Sequence, residues 1–137
     1  MSLHVELVSP ERILWTGEAE MVIARTLEGG EIAFLTDHAP FVGALDIGRV
    51  VIRSEEGGDQ VLAVHGGFVE VSNNRVTILS DVAELKDQID VARARGARER
   101  AEAALKNDSD DAALAAAMRR AEVRLQVAEA AVASGGH

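Results

Sequence analysis

Val50-Val51-Ile52-Arg53 and Val61-Leu62-Ala63-Val64 are two short apolar runs on either side of Gly57-Gly58. Strand-forming residues around a glycine pair predict a β-hairpin, because glycine accepts the backbone conformations that tight turns require. The pattern continues in both directions along the chain, and many short strands at this spacing predict an antiparallel β-sandwich or barrel. The further strand-like runs are residues 4–8, 20–25, 32–35 and 75–79, and the further turn signals are Gly29-Gly30, Gly66-Gly67 and Asn73-Asn74.

The composition changes sharply near residue 86. Residues 1–85 contain all four aromatic residues, both prolines and nine of the twelve glycines, whereas residues 86–137 are dominated by alanine. Residues 1–85 hold fourteen acidic residues and five arginines, against nine acidic and nine basic residues in 86–137, so the net charge of −9 lies entirely in the first part. Alanine is the best helix former, and β-branched residues favour strands. We therefore predict a β domain over residues 1–85 and an α-helical domain over residues 86–137.

The second domain is predicted to be an antiparallel hairpin of two helices. Asp87 followed by Asp90 resembles a capping box, and helix-compatible sequence continues as far as a break at residues 106–109. Asp108 or Ser109 can then cap the second helix. Small or apolar residues recur every three or four positions in both helices, which predicts close packing between them. These residues are Ala94, Ala97, Ala101 and Ala104 in the first helix and Leu114, Met118, Ala121, Leu125, Ala128 and Val132 in the second, before a tail at 134–137 that we expect to fray.

Length, charge and cysteine content disfavour several classes of protein. With 137 residues and a mass of 14.6 kDa, the chain is too short for a multidomain enzyme. Its acidic balance disfavours nucleic acid as a partner, because phosphate backbones require basic surfaces. The absence of cysteine excludes a disulfide scaffold and a thiolate zinc site. We expect neither a signal peptide nor direct membrane insertion, since no apolar run is long enough to cross a bilayer.

Catalytic and metal-binding patterns are weak. The four histidines suggest a cupin-like metal site in the β domain, but their spacing is not typical of metal ligands. Asp37-His38 could be read as an acid–base pair, yet neighbouring residues on a strand point to opposite faces, so a turn before Ala39-Pro40 is the better interpretation. The sequence contains no glycine-rich phosphate-binding motif. We therefore expect no catalytic residues and no metal.

The arginines of the helical domain form a less common pattern. Arg93 and Arg100 are seven residues apart and share one face of the first helix. In an antiparallel hairpin, Arg93 and Asp90 lie close to Arg124, with Arg120 about one turn away. Several guanidinium groups in one place favour an anion, and the planar fork of arginine fits phosphate oxygens. The alternative is a solvated helix face with Asp–Arg pairs, in which Asp90 is a helix cap.

Three segments resemble the epsilon subunit of F-type ATP synthases. One is Gly30-Glu31-Ile32-Ala33-Phe34-Leu35-Thr36-Asp37-His38-Ala39-Pro40-Phe41, which is similar to the family's G-E-x-G-x-L-P-x-H-A-P-L. Another is Ala63-Val64-His65-Gly66-Gly67-Phe68-Val69-Glu70-Val71, similar to A-V-S-G-G-F-V-E-V, and Leu7-Val8-Ser9-Pro10-Glu11 matches the V-S-P-E start. The chain departs from the family at Ala33, Thr36 and His65, where glycine, proline and serine are usual. The resemblance implies a β-sandwich followed by two helices.

The resemblance also implies a function. Members of the family are non-catalytic subunits of the central rotor stalk, which bind the gamma subunit and the c-ring and couple proton-driven rotation to ATP synthesis. Their helical hairpin is a regulatory arm that folds against the sandwich or extends toward the alpha/beta catalytic head and inhibits ATP hydrolysis. A bacterial member is peripheral, at the cytoplasmic face of the plasma membrane. The loop at 31–40 lies near the ring in this family, so we expect ring contacts from Glu31, Asp37 and His38.

Some bacterial members bind regulatory ATP on the folded arm, and the resemblance implies such a site here. Their motif, I/L-D-x-x-R-A, is present as Ile89-Asp90-Val91-Ala92-Arg93-Ala94. No other cofactor is expected. The alternatives are a free-standing ATP-sensing module and, with less support from the residues, the cupin-like metal enzyme. The residues expected to bind ATP are Glu84, Ile89, Asp90, Arg93, Ala94, Arg100, Arg120 and Arg124.

Overall fold

A computed structural model describes residues 2–54 and 58–129, in which eight β-strands are followed by a short 3-10 helix and two α-helices. Three predicted features lie wholly or partly outside the described residues: Gly57 of the predicted hairpin turn, Val132 of the second helix, and the tail at 134–137. The strands are β1 (Leu3–Val8), β2 (Ile13–Ala19), β3 (Met21–Thr26), β4 (Gly30–Leu35), β5 (Phe41–Ser54), β6 (Gly58–Ser72), β7 (Arg75–Leu79) and β8 (Ala83–Leu85). The 3-10 helix is Lys86–Gln88, and the α-helices are α1 (Val91–Asn107) and α2 (Ala112–Glu129).

The strands form a two-layered sandwich, as predicted. Their hydrogen-bonded order is β2-β1-β7-β6-β5-β3-β4, with β8 also paired to β6. The strands β5 and β6 are 14 and 15 residues long and pair with each other from Phe41 opposite Val71 to Ser54 opposite Gly58, so both layers share them. The sandwich is antiparallel, as predicted, except that β1 pairs with β7 in the parallel direction.

Each layer is built on one half of the β5–β6 ribbon. The first layer contains β2, β1 and β7 with residues 68–72 of β6, and the second contains β4 and β3 with residues 58–65 of β6 and β8. One core lies between the layers, because Leu3 of β1 and Phe34 of β4 are fully buried in the same cluster although their strands are far apart in the sheet order.

The pair Gly66-Gly67 lies inside β6, so the prediction of a turn there is wrong. Val64 before the pair and Val69 after it both face the core, although residues five positions apart on a flat strand point to opposite faces. The φ angles of Gly66 and Gly67 are +87° and +121°, and a Cβ on Gly67 would lie 2.1 Å from the carbonyl oxygen of Leu79. Glycine is required here because it tolerates this backbone and this close approach. The pair lets one strand change the face that it buries on passing between layers.

The turn predicted at Asn73-Asn74 is confirmed. It joins β6 to β7 with φ angles of +52° and +59°, which asparagine tolerates better than most residues. The turn at Gly29-Gly30 is also confirmed, and the Thr26 hydroxyl stabilises it by accepting from the Gly29 amide and donating to the Gly30 carbonyl, both at 2.9 Å.

The first helix begins at the cap named in the alternative interpretation and not at Asp87, and the second helix begins later than predicted. The carboxylate of Asp90 accepts from the Arg93 amide at 3.0 Å, so Asp90 caps α1, and Asp87 lies in the preceding 3-10 helix. The carboxylate of Asp111 likewise accepts from the Leu114 amide at 3.1 Å and caps α2. Asp108 instead ends α1, because its amide donates to the carbonyl of Ala104 in that helix.

The two helices pack on each other, and α2 makes the main contact of the hairpin with the sandwich. Ala94 and Ala101 of α1 are buried, as are Ala121 and Leu125 of α2, so the predicted small-residue packing is present. A different side of α2 contacts the second layer: Val123 and Val127 pack with Ala63 of β6, and Ile47, Val61 and Ile89 border this cluster. Within 2–54 and 58–129, no helix combines the length and apolarity needed to span a bilayer.

Candidate functional site

The first candidate site is a cleft between the end of the sandwich and the helical hairpin. The register of β8 on β6 places Glu84 opposite Ala63, on the side of the second layer that α2 covers. Asp90 then caps α1, which packs against α2. The cleft has a volume of about 340 Å³ and is lined by Glu84, Gln88, Asp90, Arg93, Ala94, Ala97, Arg100 and Arg124.

Helix geometry brings the α1 residues of the cleft together. Arg93, Ala97 and Arg100 are spaced by four and three residues and therefore share one face. Ala94 and Ala97 line the cleft beside the arginines, and their small side chains do not fill it. Among the described residues, neither Arg93 nor Arg100 forms an ion pair, so both are available to an anion.

The base of the cleft contains an ion pair that joins the sandwich to α2. The Nε atom of Arg124 lies 2.7 Å from Oε1 of Glu84, and Nε2 of His65 lies 3.1 Å from the same oxygen. Burial raises the pKa of Glu84, but hydrogen bonds from Arg124 and His65 outweigh burial and leave this pKa below its ordinary value. Glu84 is therefore ionised at neutral pH.

His65 is neutral at the same pH. Burial is the largest effect and lowers the pKa of His65; the hydrogen bond to Glu84 opposes it, and the charges of Arg124 and Arg120 lower the pKa further. The side chain is only 4% exposed, and its Nδ1 atom is buried without a hydrogen-bond partner among the described residues. The imidazole thus forms one hydrogen bond, to Glu84, and leaves its Nδ1 atom without a partner among the described residues.

Six of the eight residues predicted to bind ATP line this cleft: Glu84, Asp90, Arg93, Ala94, Arg100 and Arg124. The other two do not. The side chain of Ile89 packs beside Ala63 under α2, and Arg120 is half-buried and acts at a distance, through its charge on His65.

Sequence reasoning missed Gln88, Ala97 and His65 as residues in or beside the cleft. Ala97 could have been found from the spacing between Arg93 and Arg100. His65 is visible in the sequence only as a departure from the family, and Gln88 gives no signal. The side chain of Gln88 accepts from the Leu85 amide at 2.9 Å, and this hydrogen bond holds the chain between β8 and α1.

The residues predicted to contact the ring are divided between two ends of β4. Asp37 has a φ of +64°, accepts at 3.2 Å from the Asn74 side chain and donates its amide to that side chain at 2.6 Å. His38 donates from Nδ1 to the Ala39 carbonyl at 2.7 Å, and its ring packs edge-on against Phe34. Glu31 pairs across from Arg25 near the start of β4, so it does not belong to the same surface as Asp37 and His38.

An apolar stripe crosses the outer face of the first layer. Its members are direct cross-strand neighbours, which lie about 5 Å apart on one face of a sheet. Phe68 is 57% exposed, and Ile13 and Leu79 are also exposed. Apolar surface that is contiguous and solvent-exposed is typical of a protein–protein interface. The apolar stripe consists of Ala44, Phe68, Leu79, Val8 and Ile13, on β5, β6, β7, β1 and β2 in that order.

These features define a two-part module: a β-sandwich with one apolar outer face and a docked helical hairpin that leaves an arginine-lined cleft. In the described ranges, no group of three or more His, Cys, Asp or Glu residues is placed to hold a metal ion. The cleft combines cations with carboxylates that are already hydrogen-bonded, and such an arrangement can bind an anion.

Comparisons with known proteins agree with this class. Residues 2–86 match the family described as ATP synthase, Delta/Epsilon chain, beta-sandwich domain, and residues 87–129 match its long alpha-helix domain. The chain is 48% identical over 124 residues to the ATP synthase epsilon chain of Streptomyces griseus, covering 90% of this chain and 93% of the relative. It is 47% identical to that of Thermobifida fusca (93% of both chains) and 42% identical to that of Moorella thermoacetica (94% and 98%).

Solved structures show the same fold. A chain of the Euglena gracilis mitochondrial ATP synthase superimposes with a TM-score of 0.70 at 25% identity, over 99% of this chain and 82% of that one. A chain of the Tetrahymena thermophila mitochondrial ATP synthase gives a TM-score of 0.53 at 16% identity, over 95% and 96%. The chain therefore belongs to the family of ATP synthase epsilon chains, which are non-catalytic central-stalk subunits of the F-type enzyme that makes ATP with proton transport.

Proposed function

We propose that this chain binds the gamma subunit and the c-ring through its sandwich and senses ATP through its helical hairpin. In this role it is peripheral, at the cytoplasmic face of a bacterial plasma membrane, and its hairpin regulates ATP hydrolysis in the alpha/beta head. Support for ATP sensing comes chiefly from Arg93 and Arg100, two guanidinium groups without an ion pair in the described part of the chain, which border the cleft with Arg124.

Rotor binding is assigned to the first layer of the sandwich. The apolar stripe lies on the face opposite the core, whereas α2 covers the second layer. We assign the stripe to the gamma subunit and the turn at Asp37-His38 to the ring. Glu31 lies at the other end of β4 and makes at most a separate contact.

Binding of the gamma subunit to full-length variants tests this assignment. Phe68→Asp places a charge in the middle of the apolar stripe and is expected to weaken binding at least tenfold, whereas the fold should persist because Phe68 is largely exposed. Leu35→Asp is the matched control, since Leu35 is 52% exposed on β4 of the other layer. Equal affinities for the two variants would remove the stripe from the proposed interface.

The division into two domains is part of the proposal. A chain that ends at residue 85 should fold and still bind the gamma subunit, because the core of the sandwich lies within β1 to β8. Circular dichroism and gamma binding measure this directly. A disordered chain would show that the sandwich requires the hairpin.

ATP would lie in the cleft with its phosphates against the arginines. Arg93, Arg100 and Arg124 would donate to phosphate oxygens, and Asp90 and Glu84 would accept from the ribose or the base. Arg120 would add positive charge nearby, and Ile89 and Ala94 would shape the wall. The carboxylates of the cleft already accept hydrogen bonds within the protein, so magnesium should matter little.

Calorimetric titration of the full chain with ATP tests the cleft. A charge-assisted contact contributes about 1.5–3 kcal/mol, so Arg93→Ala should weaken binding roughly tenfold to a hundredfold. Arg95→Ala removes the same charge from an exposed position of α1 that does not line the cleft, and it should bind ATP almost normally. If the unmodified chain binds no ATP at several millimolar, the arginines form a solvated helix face and the proposal of ATP sensing fails.

A further inference from the structure

His65 lies where the sandwich and the hairpin meet. It shares the face of β6 that carries Ala63, because residues two positions apart on a strand point the same way. Ala63 packs against Val123 and Val127 of α2, and the His65 side chain beside it is also buried. We call His65, Glu84 and Arg124 the interface network, since they belong to β6, β8 and α2 and are joined through one carboxylate oxygen.

The hydrogen bonds determine which nitrogen of His65 carries its proton. An ionised carboxylate can only accept, so Nε2 of His65 must donate to Glu84. In the neutral ring Nδ1 is then an acceptor, and it is buried without a donor among the described residues. A second proton could bind only at this atom, where no acceptor in the described part of the chain would receive it. The docked hairpin therefore disfavours the imidazolium form on geometric grounds.

We propose that His65 makes docking of the helical hairpin on the sandwich dependent on pH, so that protonation of its Nδ1 atom loosens the interface network. The network holds α2 against β6 and β8 while His65 is neutral. Acidification favours an arrangement in which the imidazolium reaches water, and that requires α2 to move away from Ala63. This property does not depend on nucleotide.

The charges around His65 come from three elements. Within residues 2–54 and 58–129, Glu84 of β8 is the only carboxylate within hydrogen-bond distance of His65, and it already accepts from Arg124. Arg120 and Arg124 of α2 are both positive. On β5 the residue opposite His65 is the apolar Ile47, and the neighbouring Asp46 is paired with Arg25. One shared carboxylate thus faces two guanidinium groups, and a third cation would be unfavourable.

The direction of the pH effect follows from linkage. The pKa of His65 is below its ordinary value of 6.5 in the docked state and returns toward 6.5 when water reaches the ring. Docking is therefore strongest above about pH 7 and weakens as the pH falls through 6.5. If the docked ring binds no proton, the docking constant decreases by up to about tenfold between pH 7.5 and 5.5. Glu84 stays ionised over this range because its pKa lies below 4.5.

Hydrogen exchange of the α2 amides measures docking in the full chain without nucleotide. After correction for the intrinsic exchange rate, protection at Leu125 and Val127 should fall up to about tenfold from pH 7.5 to 5.5. His65→Gln keeps a donor near the Nε2 position but cannot be protonated, so protection should become nearly independent of pH. His4→Gln removes an exposed histidine from β1, away from the interface, and should behave as the unmodified chain does.

An equal loss of protection in His65→Gln and in the unmodified chain would overturn the proposal. If His65→Gln fails to dock even at pH 7.5, titration of the His65 imidazole by ¹⁵N NMR in the unmodified chain decides the question. A neutral Nε2–H ring with a pKa below 6.5 supports the proposal, and a pKa at or above 6.5 refutes it.

Discussion

Val127→Ala should weaken the docking of the hairpin while leaving the sandwich folded. Val127 is fully buried and packs with Val123 of α2 and Ala63 of β6. The substitution removes two methyl groups at about 0.8 kcal/mol each and leaves a small cavity, so the docking free energy should decrease by about 2 kcal/mol. This corresponds to roughly a 30-fold smaller docking constant.

Hydrogen exchange and thermal unfolding of the full chain measure the effect. Protection should fall in α2 and change little in β1 or β7, which lie in the other layer. Gln126→Ala is the matched control, because Gln126 is the exposed neighbour of Val127 on the same helix. Both substitutions introduce alanine, the best helix former, so lower helix propensity cannot explain a loss that is specific to Val127→Ala.

Similar costs for Val127→Ala and Gln126→Ala would refute this account of docking. Such a result would mean that α2 does not depend on its contact with Ala63, and that the interface network alone holds the hairpin in place. A uniform loss of protection throughout the sandwich would instead show that the hairpin and the sandwich unfold as one unit.

Two further substitutions test local features of the fold. Gly67→Ala should destabilise the sandwich by about 3 kcal/mol in urea unfolding, because the new Cβ adds an unfavourable positive φ and a clash with the Leu79 carbonyl. Gly30→Ala is the control: its φ is +68° but the space around it is open, so it should cost only about 1 kcal/mol. Asp90→Ala should cost the hairpin about 1 kcal/mol by removing the cap of α1. Asp87→Ala should have almost no effect on the stability of the hairpin. A larger loss for Asp87→Ala than for Asp90→Ala would show that Asp87 caps the first helix.

Local patterns in the sequence were sufficient for the two-part organisation and for much of the cleft. Alternating apolar residues predict β1 and β7 because burial on one face of a strand follows a period of two. The spacing of Arg93 and Arg100 likewise places them on one face of α1, since this depends only on helix geometry. The strand β2 was missed because its exposed and half-buried residues do not alternate regularly along its length.

The motifs that resemble the family carried the assignment of function, but not the physical role of each residue in them. Gly66-Gly67 has the composition of a turn, yet it lies within a strand because β6 must change the face that it buries between the two layers. Likewise, Asp87 and Asp90 are both acidic candidates for the cap of the first helix, and the folded backbone selects Asp90.

Only the tertiary structure decided which distant residues meet. Glu84 and Arg124 are 40 residues apart, and His65 is 19 residues from Glu84, so their meeting depends on how β8 pairs with β6 and where α2 docks. The same docking buries Ile89 beneath α2 and leaves Arg120 outside the cleft lining. Sequence alone determined the two helices, the strands that alternate clearly and the shared face of Arg93 and Arg100, because those follow from local backbone geometry. The cleft, the apolar stripe and the neutral His65 arise from contacts between faces, which exist only after the chain has folded.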